Sequence, residues 1–233
     1  MRYLLTLLTT ALLAAPALAQ ENDAEKLYRA MEKKIRSAQT LRLTFDGEAT
    51  GGGQKLTLKG TALVAEGNKG RIEAEFASAG KSTKLLFISD GKTKYMKEGD
   101  MVKTEAAESK DSAKPLAMIA RVGFLPSLLF GKAEGKDKEA FDIDKEAPVK
   151  NFKLGVKDKL GKRQAQVVEF EITFGPGASG RAAVWIDTET ELPLKRTLTV
   201  EGKGKEDSFQ VVETFATFTI NPKLDGKAFD IPK

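Results

Sequence analysis

The chain has 233 residues, 38 basic against 33 acidic side chains, a net charge of +5, and neither histidine nor cysteine. The two absences exclude Ser-His-Asp and Cys-His catalysis, ordinary zinc sites, His-ligated haem and any disulfide framework. The positive charge is interleaved with acids, as in KDKEAFDIDKEAPVK, and no aromatic-basic platform accompanies it, so no nucleic-acid partner is expected.

The first residues, MRYLLTLLTTALLAAPALAQ, place Arg2 before an apolar core from Leu4 to Ala15 and an Ala17-Leu18-Ala19 exit before Gln20. That order reads as a secretory signal peptide over residues 1–19, cleaved near Ala19. The core is shorter than the roughly 20 apolar residues a spanning helix needs. No cysteine follows it, so a lipoprotein anchor is not expected. Residues 20–233 show no Pro/Ser-rich linker and are expected to form one exported domain held by its core alone.

ENDAEKLYRAMEKKIRSAQT follows, with Asp23 as candidate N-cap and Leu27, Tyr28, Met31, Ile35 and Ala38 on one stripe, which predicts an amphipathic helix. From Leu41 the period becomes two. LRLTFDGEAT sets Leu41, Leu43, Phe45, Gly47 and Ala49 against Arg42, Thr44, Asp46, Glu48 and Thr50. Gly51-Gly52-Gly53 then reads as a hairpin turn, because no Gly-Lys-Ser/Thr or helix signal follows to make a phosphate loop. Similar alternation in KLTLKGTALV, GRIEAEFAS, STKLLFISDGKTKYMKEGD, NFKLGVKD, AQVVEFEITF, GRAAVWID, LPLKRTLTVEG and DSFQVVETFATFTI predicts nine or ten strands, mostly antiparallel neighbours. One face of each strand is apolar and must be buried, which a single curved sheet can do around apolar material from the rest of the chain.

That material is SAKPLAMIARVGFLPSLLFGK, Ser112 to Lys132, apolar nearly throughout and carrying one internal charge, Arg121. Pro115 suits a first helical turn. A helix is predicted over 116–124, a break at Leu125-Pro126, and a second helical turn over 127–130 ending at Gly131. Two readings stand side by side: a pair of core helices, or a lid whose underside walls an apolar cavity. In the second, Leu116, Ile119, Phe124, Leu125, Leu128, Leu129 and Phe130 line the ligand site.

The remaining chemistry is sparse. Asp187, Glu189 and Glu191 cluster in WIDTETELP at a strand-turn-strand junction without an aromatic sugar platform, and no D-x-D-x-D-G calcium loop occurs. No catalytic residue, metal or cofactor is expected, and a binding protein is favoured over an enzyme.

The N-terminal helix before LRLTFDGEA, the FISDGKTKYMKEGD hairpin, PLAMIARVGFLPSLLFG, VWIDTETELPLKRTLTV and the closing FTINPKLDGKAFDIPK together resemble the LolA/LolB-like superfamily of periplasmic lipoprotein carriers, and most of all its branch of predicted periplasmic proteins of unassigned function. The resemblance spans nearly the whole of residues 20–233. It implies a mainly β, α+β fold: an unclosed antiparallel β-barrel with an N-terminal helix and lid helices over its concave face, and a cavity for acyl chains. It also implies a barrel arginine that latches the lid. Arg42 and Arg71 fall on the polar face by alternation, so neither fits that role. The function so implied is a non-catalytic periplasmic carrier for a lipid or acylated lipoprotein, working as a monomer with an inner-membrane donor or outer-membrane acceptor. An envelope-stress sensor of the same fold and a structural envelope protein are the alternatives.

Overall fold

The computed structural model describes residues 22–107, 114–130, 142–174, 178–201 and 208–232, with Lys114, Leu129 and Phe130 described in backbone only. The segment read as a signal peptide and Gly131 lie outside the described residues.

Helix α1 runs Asp23–Arg36. Its N-cap is Asn22 and not Asp23: the Asn22 side chain accepts from the Glu25 amide at 2.9 Å, which leaves Asp23 in the first turn, where its charge suits the helix N-terminus. The buried stripe holds Ala24, Tyr28, Met31, Glu32 and Ile35.

Six strands follow: β1 (Thr40–Gly51), β2 (Gln54–Ala65), β3 (Lys69–Ser78), β4 (Lys81–Asp90), β5 (Thr93–Glu98) and β6 (Met101–Ala106). Helices α2 (Lys114–Val122), α3 (Phe124–Phe130) and α4 (Ile143–Glu146) come next. Strands β7 (Val149–Leu160), β8 (Arg163–Phe174), β9 (Ala178–Asp187), β10 (Pro193–Glu201) and β11 (Phe209–Ile220) complete the order. All eleven lie in one antiparallel sheet, β6-β5-β4-β3-β2-β1-β11-β10-β9-β8-β7, with no pairing of β6 to β7. The fold is therefore an unclosed half-barrel in which the first and last strands meet at the centre. Strand β6 escaped the sequence pattern because all six of its residues are exposed, so no apolar face marks it.

The alternation fixes which side chains face the core. On β1, Leu41, Leu43 and Phe45 are buried, and on β8 so are Val168, Phe170 and Ile172. Phe170 meets the rings of Tyr28 at 4.6 Å and Phe152 at 5.7 Å, so α1 is docked on the β7–β8 side of the trough.

The break in the apolar segment falls at Gly123, not at Leu125-Pro126. Gly123 takes φ +105°, a conformation that favours glycine, while Pro126 sits in the first turn of α3, where a missing N–H costs nothing. Sequence spacing pointed to the proline because proline is the louder breaker, yet its position within a new helix makes it an initiator.

Replacing Phe170 by Ala should cost about 3–5 kcal/mol, and Glu169→Gln on the opposite face should stay within about 0.5 kcal/mol. Urea denaturation of the two variants checks the register, and equal losses would contradict it.

Candidate functional site

The antiparallel registers place Val168, Val184, Arg196, Glu213, Gly47, Leu58 and Phe76 side by side in one row across the concave face. Two members of this otherwise apolar row are charged, and both are buried. Alternation carries them inward: Arg196 is in phase with Leu198 and Val200, and Glu213 with Val211 and Phe215.

Both charges address the junction between α2 and α3. The Arg196 guanidinium donates to the Ala120 carbonyl at 2.9 Å and the Arg121 carbonyl at 3.2 Å, the last turn of α2. The Glu213 carboxylate accepts from the Phe124 and Leu125 amides at 3.1 and 2.8 Å, the first turn of α3. Helix ends carry carbonyls and amides with no intrahelical partner, positive at the N-terminus and negative at the C-terminus. A cation on the end of one helix and an anion on the start of the next meet both needs. Gly123 lies between, and a β-carbon there would overlap the Glu213 carboxylate.

A second set of bonds ties α2 to the other helices. The fully buried Arg121 is paired with Glu32 of α1 and Asp144 of α4, and donates to the Ala147 carbonyl at 2.6 Å. The Tyr28 hydroxyl donates to the Arg121 carbonyl at 3.1 Å. Helix α3 is held differently, by Glu213, by the Phe124 ring 4.5 Å from that of Phe45, and by Leu125 seated over Gly47, whose missing side chain leaves the room. A β-carbon at Gly47 would stand 2.9 Å from Leu125 Cδ2.

Burial pushes the Glu213 carboxyl from an ordinary 4.5 up to about 7, against the pull of Arg196 and the two amide donors. Burial likewise pushes Arg196 below its ordinary value, opposed by the Tyr28, Glu213 and Glu32 charges. Burial also presses Arg121 downward, but its hydrogen bonds to Glu32 and Asp144 and the Tyr28 charge outweigh it, so Arg121 stands above its ordinary value. The bond from Arg121 holds Asp144 below the usual carboxylate range.

Of the residues expected to line a ligand site, Leu116 and Ile119 on α2 and Phe124 and Leu125 on α3 are buried. Leu128 reaches the surface at 36% exposure, and the side chains of Leu129 and Phe130 lie outside the described ones. Sequence reasoning missed Arg196 and Glu213. The signal was there, a charge in phase with apolar neighbours on each strand, but it reads as a pattern defect until the helices above are in place. Arg42 and Arg71 do point away from the core: Arg42 donates to the Lys223 carbonyl and Arg71 pairs with Glu73. An open groove of about 790 Å³ lies by Lys59, Arg71, Glu75 and Lys84, away from the lid. Asp187 is a turn organiser, paired with Arg163 and accepting from the Glu189 amide at 2.9 Å. Among the described residues no cluster of three or more acidic side chains is placed to hold a metal.

No family model and no curated protein matches the chain. Solved structures similar to it include LprF from Mycobacterium bovis, 11% identical over 88% of this chain and 97% of that one, with a TM-score of 0.47. The lipoprotein LppX from Mycobacterium tuberculosis is 13% identical over 87% and 99%, also at 0.47. A LolA superfamily protein from Nitrosomonas europaea is 9% identical over 89% and 97%, at 0.38. These likenesses concern the fold.

The Glu213 carboxyl sets a pH dependence with a definite sign. Its folded value is raised, so the stability it contributes is present below about pH 4.5 and is lost as pH rises through about 7. Histidine is the usual side chain titrating between pH 5 and 8, and this chain has none. Thermal stability should therefore fall from pH 5.5 to 8, by about 2–3 kcal/mol, and Glu213→Gln should flatten the profile. Calorimetry across that range checks it; an unchanged slope in the variant would assign the dependence elsewhere.

Proposed function

We propose that this chain is a non-catalytic carrier that takes a lipid or acylated ligand onto the concave face beneath α2 and α3. One observation carries the reading: two buried charges grip a glycine-jointed pair of helices over an otherwise apolar trough. A purely structural core has no need of charge at that position, because well-packed apolar residues serve at least as well. Charges whose oxygen and nitrogen partners are helix-end backbone groups favour one closed arrangement and release it as a unit.

Helix α3 is the moving part. Arg121 fastens α2 to α1 and α4, whereas α3 hangs from the Gly123 joint and the Glu213 bonds. Its displacement uncovers Phe45, Gly47 and Leu58. These adjoin a half-buried apolar strip of Phe76, Leu85, Phe87 and Met96 on the concave side of β3 to β5. Phe124 and Leu125 each contribute about 1.5–3 kcal/mol by burial. An acyl chain entering the trough replaces those contacts, so it binds by exchange and not by filling a void. Leu116 and Ile119 form the standing wall, and Leu125 and Phe124 the displaced one. Residues 1–19 direct export, residues 20–233 work in the periplasm as one half-barrel domain, and an inner-membrane donor or outer-membrane acceptor exchanges the ligand. No helix among the described residues is long and apolar enough to cross a membrane.

Gly47 and Leu125 supply the test. A β-carbon at Gly47 lies 3.6 Å from Leu125 Cβ, within the roughly 3.5–4.5 Å that a disulfide spans. In a chain without cysteine, Gly47→Cys with Leu125→Cys makes a single bridge from β1 to α3. The oxidised variant should bind a fluorescent fatty-acyl probe at least about tenfold more weakly than the reduced one, with dithiothreitol restoring binding. Equal binding in both states would remove α3 as the gate, and no uptake by the unsubstituted chain would remove the carrier reading itself.

A further inference from the structure

Among the described residues the half-barrel ends in two strand edges with no neighbour, and they are built differently. Strand β7 carries Lys150, Lys153, Lys157 and Lys159, breaks register twice against β8, and has its Phe152 carbonyl taken by the Asn22 side chain. Lysines and irregularities of that kind discourage a further strand from adding. Strand β6 is protected far less. It pairs with β5 over six consecutive residues without a break and offers one lysine and one glutamate, and Met101 and Val102 are 63% and 54% exposed. Among the described residues no strand pairs with its outer edge.

We propose that this edge pairs antiparallel with the same strand of a second copy of the chain, in a two-fold register centred on Thr104. Backbone direction sets the choices. The Ala107 amide donates to the Lys92 carbonyl of the β4–β5 turn at 2.7 Å, so in the same pairing Met101, Lys103 and Glu105 direct their amides and carbonyls towards β5. Those of Val102, Thr104 and Ala106 point to the free edge by alternation. A two-fold centred on Thr104 sets Thr104 opposite its own copy and Val102 opposite Ala106, and every outward group then finds a partner.

Charge selects this register from its neighbours. Centring the two-fold on Lys103 would set lysine against lysine, and centring it on Glu105 would set glutamate against glutamate. Centring on Thr104 sets Lys103 of each copy opposite Glu105 of the other, twice, at the closer non-hydrogen-bonded positions. Within one copy the two side chains already form an ion pair at 2.6 Å on one face of the strand. In the dimer, the two intrachain pairs face each other as a two-by-two block of alternating charges. The two troughs then lie on one continuous sheet. The contact is small, so the dimer is weak and concentration-dependent. It replaces the monomer expected from sequence and is independent of what the trough binds.

Sedimentation velocity on the chain over a wide concentration range tests the proposal, with circular dichroism to confirm folding. The unsubstituted chain should shift from monomer to dimer. Lys103→Glu alone and Glu105→Lys alone should each remain monomeric, because like charges then face each other. Their equimolar mixture should dimerise, because opposite charges then meet at both positions. Thr104→Pro, which removes an outward amide and leaves the β5 bonds in place, should also remain monomeric. A chain that stays monomeric at the highest concentration would overturn the proposal. So would a dimer that persists in Thr104→Pro, or single variants whose mixture fails to associate.

Discussion

Arg196 and Glu213 occupy the centre of an apolar trough as direct cross-strand neighbours, and the arrangement above them depends on that placement. Burying a carboxylate or guanidinium costs several kcal/mol per ion. The cost is offset by what each charge meets: the spare carbonyls at the end of α2 and the spare amides at the start of α3. The dependence runs both ways. Without the charges, the two helix ends would be buried with unsatisfied backbone groups. Without the helix ends, the charges would be buried with too few partners. Each set of groups is therefore satisfied by the other, a mutual dependence that packing alone does not confer.

The strain of the arrangement is distributed unevenly. Glu213 takes up a proton more readily than an ordinary glutamate, and the Arg196 Nε is without a partner among the described groups. Arg121, by contrast, is held by two carboxylates and a carbonyl. The well-satisfied end belongs to α2 and the poorly satisfied end to the α2–α3 joint. Under the proposed carrier reading, opening begins where bonds are fewest, at Gly123 and in α3, while α1 and α2 stay on the sheet. Gly47 on β1 and Gly123 in the joint serve the same end, since each leaves room for the close approach of lid to sheet.

Much of the fold was legible because its elements are amphipathic. Period-two alternation placed Leu41, Leu43 and Phe45 of β1 and Val168, Phe170 and Ile172 of β8 on the buried face, though Ala165 and Val167 of β8 are buried out of phase; the stripe on α1 found Tyr28, Met31 and Ile35. Legibility failed wherever an element lacked that contrast. Strand β6 is exposed on both faces and carries no pattern. Glu32 lies on the buried stripe of α1, but its charge left it out of the apolar stripe read from the sequence. The helix break was misplaced by two to three residues, because Pro126 is a breaker or an initiator according to what precedes it. Its role was settled by Gly123, where a β-carbon would overlap the carboxylate beneath it.

The sequence by itself determined the half-buried strands, the antiparallel hairpins, the amphipathic first helix and the apolar segment that covers the sheet. These follow from short-range periodicity, and hydrophobic burial reads periodicity directly. Tertiary structure decided what the two misplaced charges are for. Arg196 and Glu213 are 17 positions apart in the chain, and the backbone groups they bind lie some 75 to 89 positions from them. Their purpose is set by strand register bringing them together under a pair of helix ends, and electrostatic satisfaction in a low-dielectric interior is a property of that assembled neighbourhood, not of any window of residues.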